Sequence, residues 1–273
     1  MTDHPTPRPA RYAPPPRALI GMVHVAALPG TPRSSRTVRD LAAQAAREAE
    51  TLADAGFDAV LIENMHDAPY LNAEVGPEIT AAMTACALAV RRAAPDLPLG
   101  VQVLAAANRA ALAVALASGA EFIRAENFVF AHTADEGLMP NADAGPLLRE
   151  RRRLDADHIA VFADLKKKHA AHALTADVSV AEAARAAHFF AADGLIITGA
   201  ATGDAAPITD LRAAATAAPL PVLAGSGVTT QNVAETLAVA RAAIVGSWIK
   251  ETGDWRNPVD PARARALVAA ARA

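Results

Sequence analysis

The stretch Pro221-Val222-Leu223-Ala224-Gly225-Ser226-Gly227-Val228-Thr229-Thr230 leads through a helix-like segment (Gln231 to Ala240) to Ile244-Val245-Gly246-Ser247. In each case an apolar, β-branched run of strand length stops at glycine and serine. Gly225 and Gly227 carry no Cβ, so backbone N–H groups there can approach an anion closely. The positive end of the following helix is expected to point at the same spot. In a barrel of eight strand–helix units, the loops after the seventh and eighth strands frequently form a phosphate site. The two turns have that form.

Working outward, strand signals recur at Leu19–Val25, Ala59–Glu63, Leu99–Val103, Phe122–Glu126, Ile159–Asp164, Leu195–Thr198, Pro221–Ala224 and Ala243–Gly246. Between them lie Ala-, Leu-, Arg- and Glu-rich segments long enough for crossover helices. The first, Val38 to Ala55, opens at a capping-box-like Thr37-Val38-Arg39-Asp40 and closes at Gly56. The last opens at Asp260-Pro261, an N-cap followed by proline. Successive strand ends lie roughly thirty residues apart, the size of one βα unit. Doubly wound sheets share this alternation, but eight strands and the late glycine pair favour an α/β fold of the (β/α)8 barrel type. We expect one barrel domain over residues 18–273, preceded by a disordered or extended Pro-rich tail at 1–17.

Composition agrees. A 273-residue chain with 52% hydrophobic content can bury roughly three quarters of its unfolded surface. Net charge is −3 and there is no dense basic stripe, which argues against nucleic acid as a partner. The run Arg149 to Arg153 reads as a solvated helix face. Cys86, the only cysteine, excludes an intramolecular disulfide and reads as a buried inert thiol. The N-terminus lacks the apolar core of a signal peptide, and no apolar run approaches the ~20 residues of a membrane span. The expectation is a cytoplasmic protein without a transmembrane segment, compatible with a homo-oligomer.

Barrels carry their reacting groups at the C-terminal ends of the strands. Here those ends hold His24, Glu63-Asn64, Gln102, Arg124-Ala125-Glu126-Asn127, Asp164 and Thr198-Gly199. Period-two alternation puts His24 on the face of Ile20 and Met22, and Asp164 on that of Ala160 and Phe162. Several polar groups closing apolar strands point to a site, because burying them is costly unless they are paired or used. Glu63, Glu126 and Asp164 suit general acid–base work, their pKa values set apart by unequal burial and by Arg124. The same carboxylates, with His24 or His66, would alternatively hold a divalent metal, although no ligand spacing singles one out. No cofactor is otherwise implied. Lys166-Lys167-Lys168 reads as a solvated run, with an electrostatic role for one of the three at an anionic substrate.

Several segments together resemble the BtpA/SgcQ family. They include Met22-Val23-His24-Val25-Ala26-Ala27-Leu28-Pro29-Gly30, Glu63-Asn64-Met65-His66-Asp67-Ala68-Pro69-Tyr70 and Phe122-Ile123-Arg124-Ala125-Glu126-Asn127. Thr133-Ala134-Asp135-Glu136-Gly137, Ala163-Asp164 with Lys168-His169-Ala170, Thr198-Gly199 with Thr202-Gly203, the two glycine turns and Asn257-Pro258-Val259-Asp260 continue the likeness in order to the C-terminus. The resemblance implies a barrel of the phosphate-binding kind. One branch of the family is named for photosystem I biogenesis and another is linked to sugar uptake. Trp248, directly after Gly246-Ser247, is placed to narrow the phosphate pocket.

Two functions of different class follow. One is an enzyme of lyase or isomerase type on a small phosphorylated, sugar-derived metabolite. In it, Gly199, Gly225, Ser226, Gly227, Gly246 and Ser247 grip the phosphate, and Glu63, Glu126 and Asp164 move protons. His24, Arg124 and Lys168 answer developing charge, with Asn64, Gln102, Asn127 and Thr198 beside them. The other is a non-catalytic assembly or stability factor for a membrane complex. Residues 131–144 read as a lid or a long connection.

Overall fold

The structure, a computed structural model, describes residues 10–199 and 201–273. The first part of the expected tail, residues 1–9, lies outside the described residues. Strand and helix alternate through β1 (Ala18–His24), α1 (Val38–Ala55), β2 (Ala59–Glu63), α2 (Pro77–Ala93), β3 (Leu99–Gln102), α3 (Asn108–Ser118) and β4 (Phe122–Ala125). A short hairpin, β5 (His132–Ala134) and β6 (Gly137–Met139), interrupts before α4 (Ala144–Arg153) and β7 (Ala160–Leu165). Then come β8 (Ala170–Ala171), α5 (Val180–Phe189), β9 (Gly194–Ile197), α6 (Ile208–Ala217), β10 (Val222–Ala224), α7 (Val233–Leu237), β11 (Ala242–Val245) and α8 (Pro261–Arg272). Eight strands close into one parallel barrel in the order β1-β11-β10-β9-β7-β4-β3-β2. Each expected strand is found to within one residue at either end.

The period-two pattern produces two cores. Ile20, Met22, Leu61, Phe122, Phe162, Ile196, Leu223 and Ile244 point into the barrel, while the alternate residues, such as Leu19, Val23, Ile62 and Val101, pack outward against the helices. On α1, Leu41, Ala45, Ala49 and Leu52 form the buried stripe, as 3.6-residue periodicity requires. Thr37 accepts the Asp40 N–H, and Gly56, at φ 91, closes the helix in the left-handed conformation. The lower barrel is filled by complementary sizes. A Cβ at Gly100 would lie 2.2 Å from the Phe122 ring, and one at Gly194 would lie 2.7 Å from Phe162. Tyr12 stacks on Phe122 at 5.1 Å from below, so residues 10–17 close the barrel floor at that point.

Two expectations are corrected. The Arg149–Arg153 run is not wholly a solvated face. Arg151 is buried, donating to Asp193 at 2.7 Å and to the Ile159 carbonyl at 3.1 Å. The helix expected over 231–240 shrinks to the five residues of α7, because Asn232 spends its side chain on the preceding turn. Its Oδ1 accepts from the Thr229 N–H and its Nδ2 donates to the Gly227 carbonyl. So short a helix, starting well past the glycines, brings no useful dipole to them.

Gly100→Ala is expected to destabilise the fold by about 1–3 kcal/mol through overpacking against Phe122. Urea unfolding checks this, and a compensating Phe122→Leu should recover part of the loss. An unchanged midpoint in the single variant would mean the lower barrel has slack.

Candidate active site

Strand register gathers the polar groups. His24 pairs with Glu63 across β1–β2, and Glu63 with Gln102 across β2–β3, so three site residues stand at one level of the mouth. Beside them Arg124 donates to both oxygens of Asp164, Nε at 3.1 and 3.2 Å and Nη2 at 2.9 Å. Both side chains are almost fully buried. Burial works against the Arg124 charge, but Asp164, then Glu63 and Glu126, outweigh it and raise the guanidinium pKa above its ordinary value.

His24 Nδ1 lies 2.9 Å from the carbonyl of Trp255. A carbonyl only accepts, so Nδ1 carries the hydrogen. Burial, followed by the Lys250 charge, pushes the ring well below its ordinary pKa. The neutral imidazole therefore presents a bare Nε2 toward Glu63, whose Oε2 is 3.9 Å away. Burial pushes the Glu63 carboxyl up, while Arg124 and Lys168 pull it back. A proton acceptor and a carboxyl inclined to keep its proton thus face each other.

The expected solvated lysine run is not solvated. Lys166, in the left-handed region at φ 46, breaks the strand alternation and donates to the Thr175 carbonyl. Lys167 turns inward and is buried between Glu126 at 3.3 Å and Glu136 at 3.8 Å. Lys168 reaches the mouth, where burial and then the Arg124 charge lower its pKa. Lys167 was not singled out from the sequence, since alternation alone would send it outward.

Other predicted residues act as struts. Glu126 Oε2 accepts the Ala106 N–H at 2.9 Å. Asn64 accepts the Leu104 N–H and donates to Asp67, which holds the Leu28 N–H. Thr198 accepts the Lys168 N–H at 3.0 Å. Asn127, at φ 53, donates to the Asn141 carbonyl and lies behind the mouth. Gln102 Oε1 at the mouth, like Asn127 Oδ1 behind it, is buried without a hydrogen-bond partner among the described residues.

Around the glycine turns, the Ser226 hydroxyl accepts the Gly199 N–H and donates to the Asp204 carbonyl, both at 2.8 Å. Gly225 N–H is held by the Ile197 carbonyl. Gly227, at φ 62, lies so close to the 204–205 backbone that a Cβ would come within 2.2 Å. One small cavity of about 30 Å³ is lined by Gly225, Gly227, Gly246 and Ser247 together with His24, Glu63, Arg124 and Lys168, whereas Gly199, its N–H held by Ser226, is not in its wall. Trp248 is not part of its wall. It turns outward and stacks under Arg263, 4.6 Å from ring to guanidinium.

A larger cavity of about 240 Å³ adjoins the small one and shares Glu63, Met65, Arg124, Lys168 and Thr202 with it. Gln102, Tyr70, Glu136 and Trp255 contribute to its walls. The 131–144 segment forms the β5–β6 hairpin, extended by β8 into a small antiparallel sheet. That sheet carries Asp135 and Glu136 to the mouth. Trp255 has no sequence signal, because it arrives from two 3-10 turns long after the last strand. Among the described residues no three His, Cys, Asp or Glu side chains come together as a metal cluster.

The fold defines the class: a (β/α)8 barrel whose polar residues gather at the C-terminal mouth. The chain belongs to the BtpA family, which matches it over residues 16–273. A Caenorhabditis elegans protein described as mitochondrial is 45% identical over 249 residues, covering 90% of this chain and 89% of its own. The Synechocystis photosystem I biogenesis protein BtpA is 34% identical over 253 residues, covering 92% and 87%. Among solved structures, Mycobacterium tuberculosis tryptophan synthase superposes with a TM-score of 0.59 at 16% identity, over 94% and 93% of the two chains. A 3-hexulose-6-phosphate synthase does so at 0.57 and 17%, over 93% and 99%. These structural likenesses establish the fold. No helix among the described residues is long and apolar enough to cross a membrane.

Asp164→Asn is expected to cost about 3–5 kcal/mol of stability, because it strands a buried guanidinium. The double change Arg124→Met with Asp164→Leu should cost far less. Calorimetry of the three proteins checks the ion pair. A second expectation concerns His132 in the β5–β6–β8 sheet. Burial, then Lys167, lowers its pKa to about 4, below the ~6.5 of an unfolded chain. As pH falls from 6.5 towards 4 only the unfolded state takes the proton, so this residue's contribution to stability is lost across that window. Melting temperature should therefore fall more steeply with acidification in the native protein than in His132→Gln. Parallel curves would exclude the effect.

Proposed function

We propose that the protein is an enzyme of lyase or isomerase type acting on a small phosphorylated, sugar-derived carbonyl compound. One observation carries this reading: the glycine turns and the proton-handling groups line a single cavity. The Ser226 hydroxyl is already engaged, so the phosphate is held by backbone N–H groups around Gly227, Gly246 and Ser247 and by Lys168. At about 30 Å³ the cavity has room for about two waters, one water needing ~10–15 Å³. A phosphate therefore enters by moving the 201–204 loop aside.

With the phosphate held there, the carbon chain extends into the larger cavity. His24 Nε2 and Glu63 exchange the substrate proton, one as base and the other as acid. Arg124, fixed by Asp164, and Lys168 stabilise the oxyanion or enediolate that develops. Gln102 Oε1 accepts a substrate hydroxyl. Asp164 anchors Arg124 and Glu126 pairs with Lys167, so both serve as supports rather than as proton carriers. Retro-aldol cleavage, isomerisation and epimerisation all need this set. The solved structures with this fold include an enzyme in complex with sn-glycerol-1-phosphate, which agrees with a phosphorylated ligand.

The alternative, an assembly factor, draws on the name of the Synechocystis relative and on the exposed Phe189, 83% accessible at the end of α5. Thermal unfolding against a panel of sugar phosphates separates the two. A ligand at 100 times its Kd adds about 2.7 kcal/mol of stability. The expected result is a selective shift with one phosphorylated sugar, abolished in Ser247→Asp and reduced in Lys168→Met. A flat panel would move the weight to the assembly factor.

A further inference from the structure

A cavity of about 600 Å³ lies away from the mouth. It lies between the β1–α1 loop, the outer face of α1 and the loop before α8. Its walls carry four arginines from three segments: Arg33 and Arg36, Arg47, and Arg256, with His66 at the inner edge. Arg36 is bound by the neutral Gln44, and Arg33 and Arg47 form no ion pair or side-chain hydrogen bond among the described residues. Among the described residues only Arg256 of the four has an acidic partner, Asp254 at 3.1 Å. The one carboxylate in the wall, Glu48, is already spent. It accepts from the fully buried Lys250 at 2.6 Å and from Gln44 at 3.1 Å.

Collecting four guanidinium groups around one hollow raises mutual repulsion, in a chain whose net charge is −3. The hollow is also of ligand size. We infer that this cleft is a second ligand site, separate from the mouth, that takes a compact polyanion of the diphosphate class. Guanidinium forks bind phosphate oxygens bidentately, and a diphosphate offers enough oxygens to engage arginines on opposite walls.

The site is built to be sensed at the mouth. Arg256 stacks on Trp255, with 4.7 Å from guanidinium to ring, and His66 packs against the same ring at 5.0 Å. Trp255 forms part of the mouth wall and its carbonyl holds His24. A polyanion that draws Arg256 toward the cleft changes the surroundings of the indole.

The test is titration of the full chain with inorganic pyrophosphate at fixed ionic strength, read by calorimetry and tryptophan fluorescence. Saturable binding with a fluorescence change is expected, weaker by about tenfold or more in Arg33→Ser/Arg47→Ser. Both arginines are exposed, so that variant should keep its melting temperature. Ser247→Asp, in the mouth, should leave pyrophosphate affinity unchanged, which separates this site from the proposed phosphate cradle. No saturable binding in the native protein, or equal affinity in the double arginine variant, would overturn the inference. Loss of binding in Ser247→Asp alone would place pyrophosphate at the mouth and also overturn it.

Discussion

The mouth depends on one buried ion pair. Arg124 and Asp164 sit on neighbouring strands of the barrel, both almost fully buried, and each compensates the charge that burial penalises in the other. Once the guanidinium is held there, its field pulls the Glu63 carboxyl down against burial and presses on the pKa of Lys168. A second pair, Glu48 with Lys250, does similar work one layer out. Its ammonium helps keep His24 and His66 neutral. The barrel thus places fixed charges and lets them set the protonation of the groups left free.

The free groups are few. Glu126, Asn64 and Thr198 spend their polar atoms on backbone, on Lys167 or on Asp67, which makes them supports of the loops that bear the site. His24 Nε2, Glu63, the Lys168 ammonium and the unpartnered Gln102 oxygen remain turned to the cavity. The proposed proton transfer next to a developing anion rests on this acid–base pair and the free lysine, set beside glycine turns and a fixed guanidinium. The fold is shared with enzymes of varied chemistry, so the function rests on this cluster and not on the barrel.

Much of this was legible in the sequence. Strand ends were, because period-two runs such as Leu19 to Val25 stop where a polar residue appears, and barrels put function there. Helix α1 was, from Thr37 to Gly56, because both caps are local signals. Three features were not. The inward turn of Lys167 and Lys168 follows from the left-handed conformation of Lys166, which no run of lysines announces. Trp255 reaches the mouth through a long-range return of the chain. Whether a serine at a glycine turn offers its hydroxyl to a ligand depends on neighbours such as Asp204, and here the neighbours have taken it.

The proposed chemistry is proton transfer at the carbon chain of a phosphorylated carbonyl compound. The most direct measurement is NMR of the sugar phosphate that stabilises the protein, incubated with it in deuterium oxide. Deuterium should appear at the carbon next to the carbonyl, or in the cleaved product. That incorporation should vanish in Glu63→Gln while the ligand still binds. An unlabelled substrate with full-strength binding, or labelling that persists in Glu63→Gln, would exclude proton transfer by this pair.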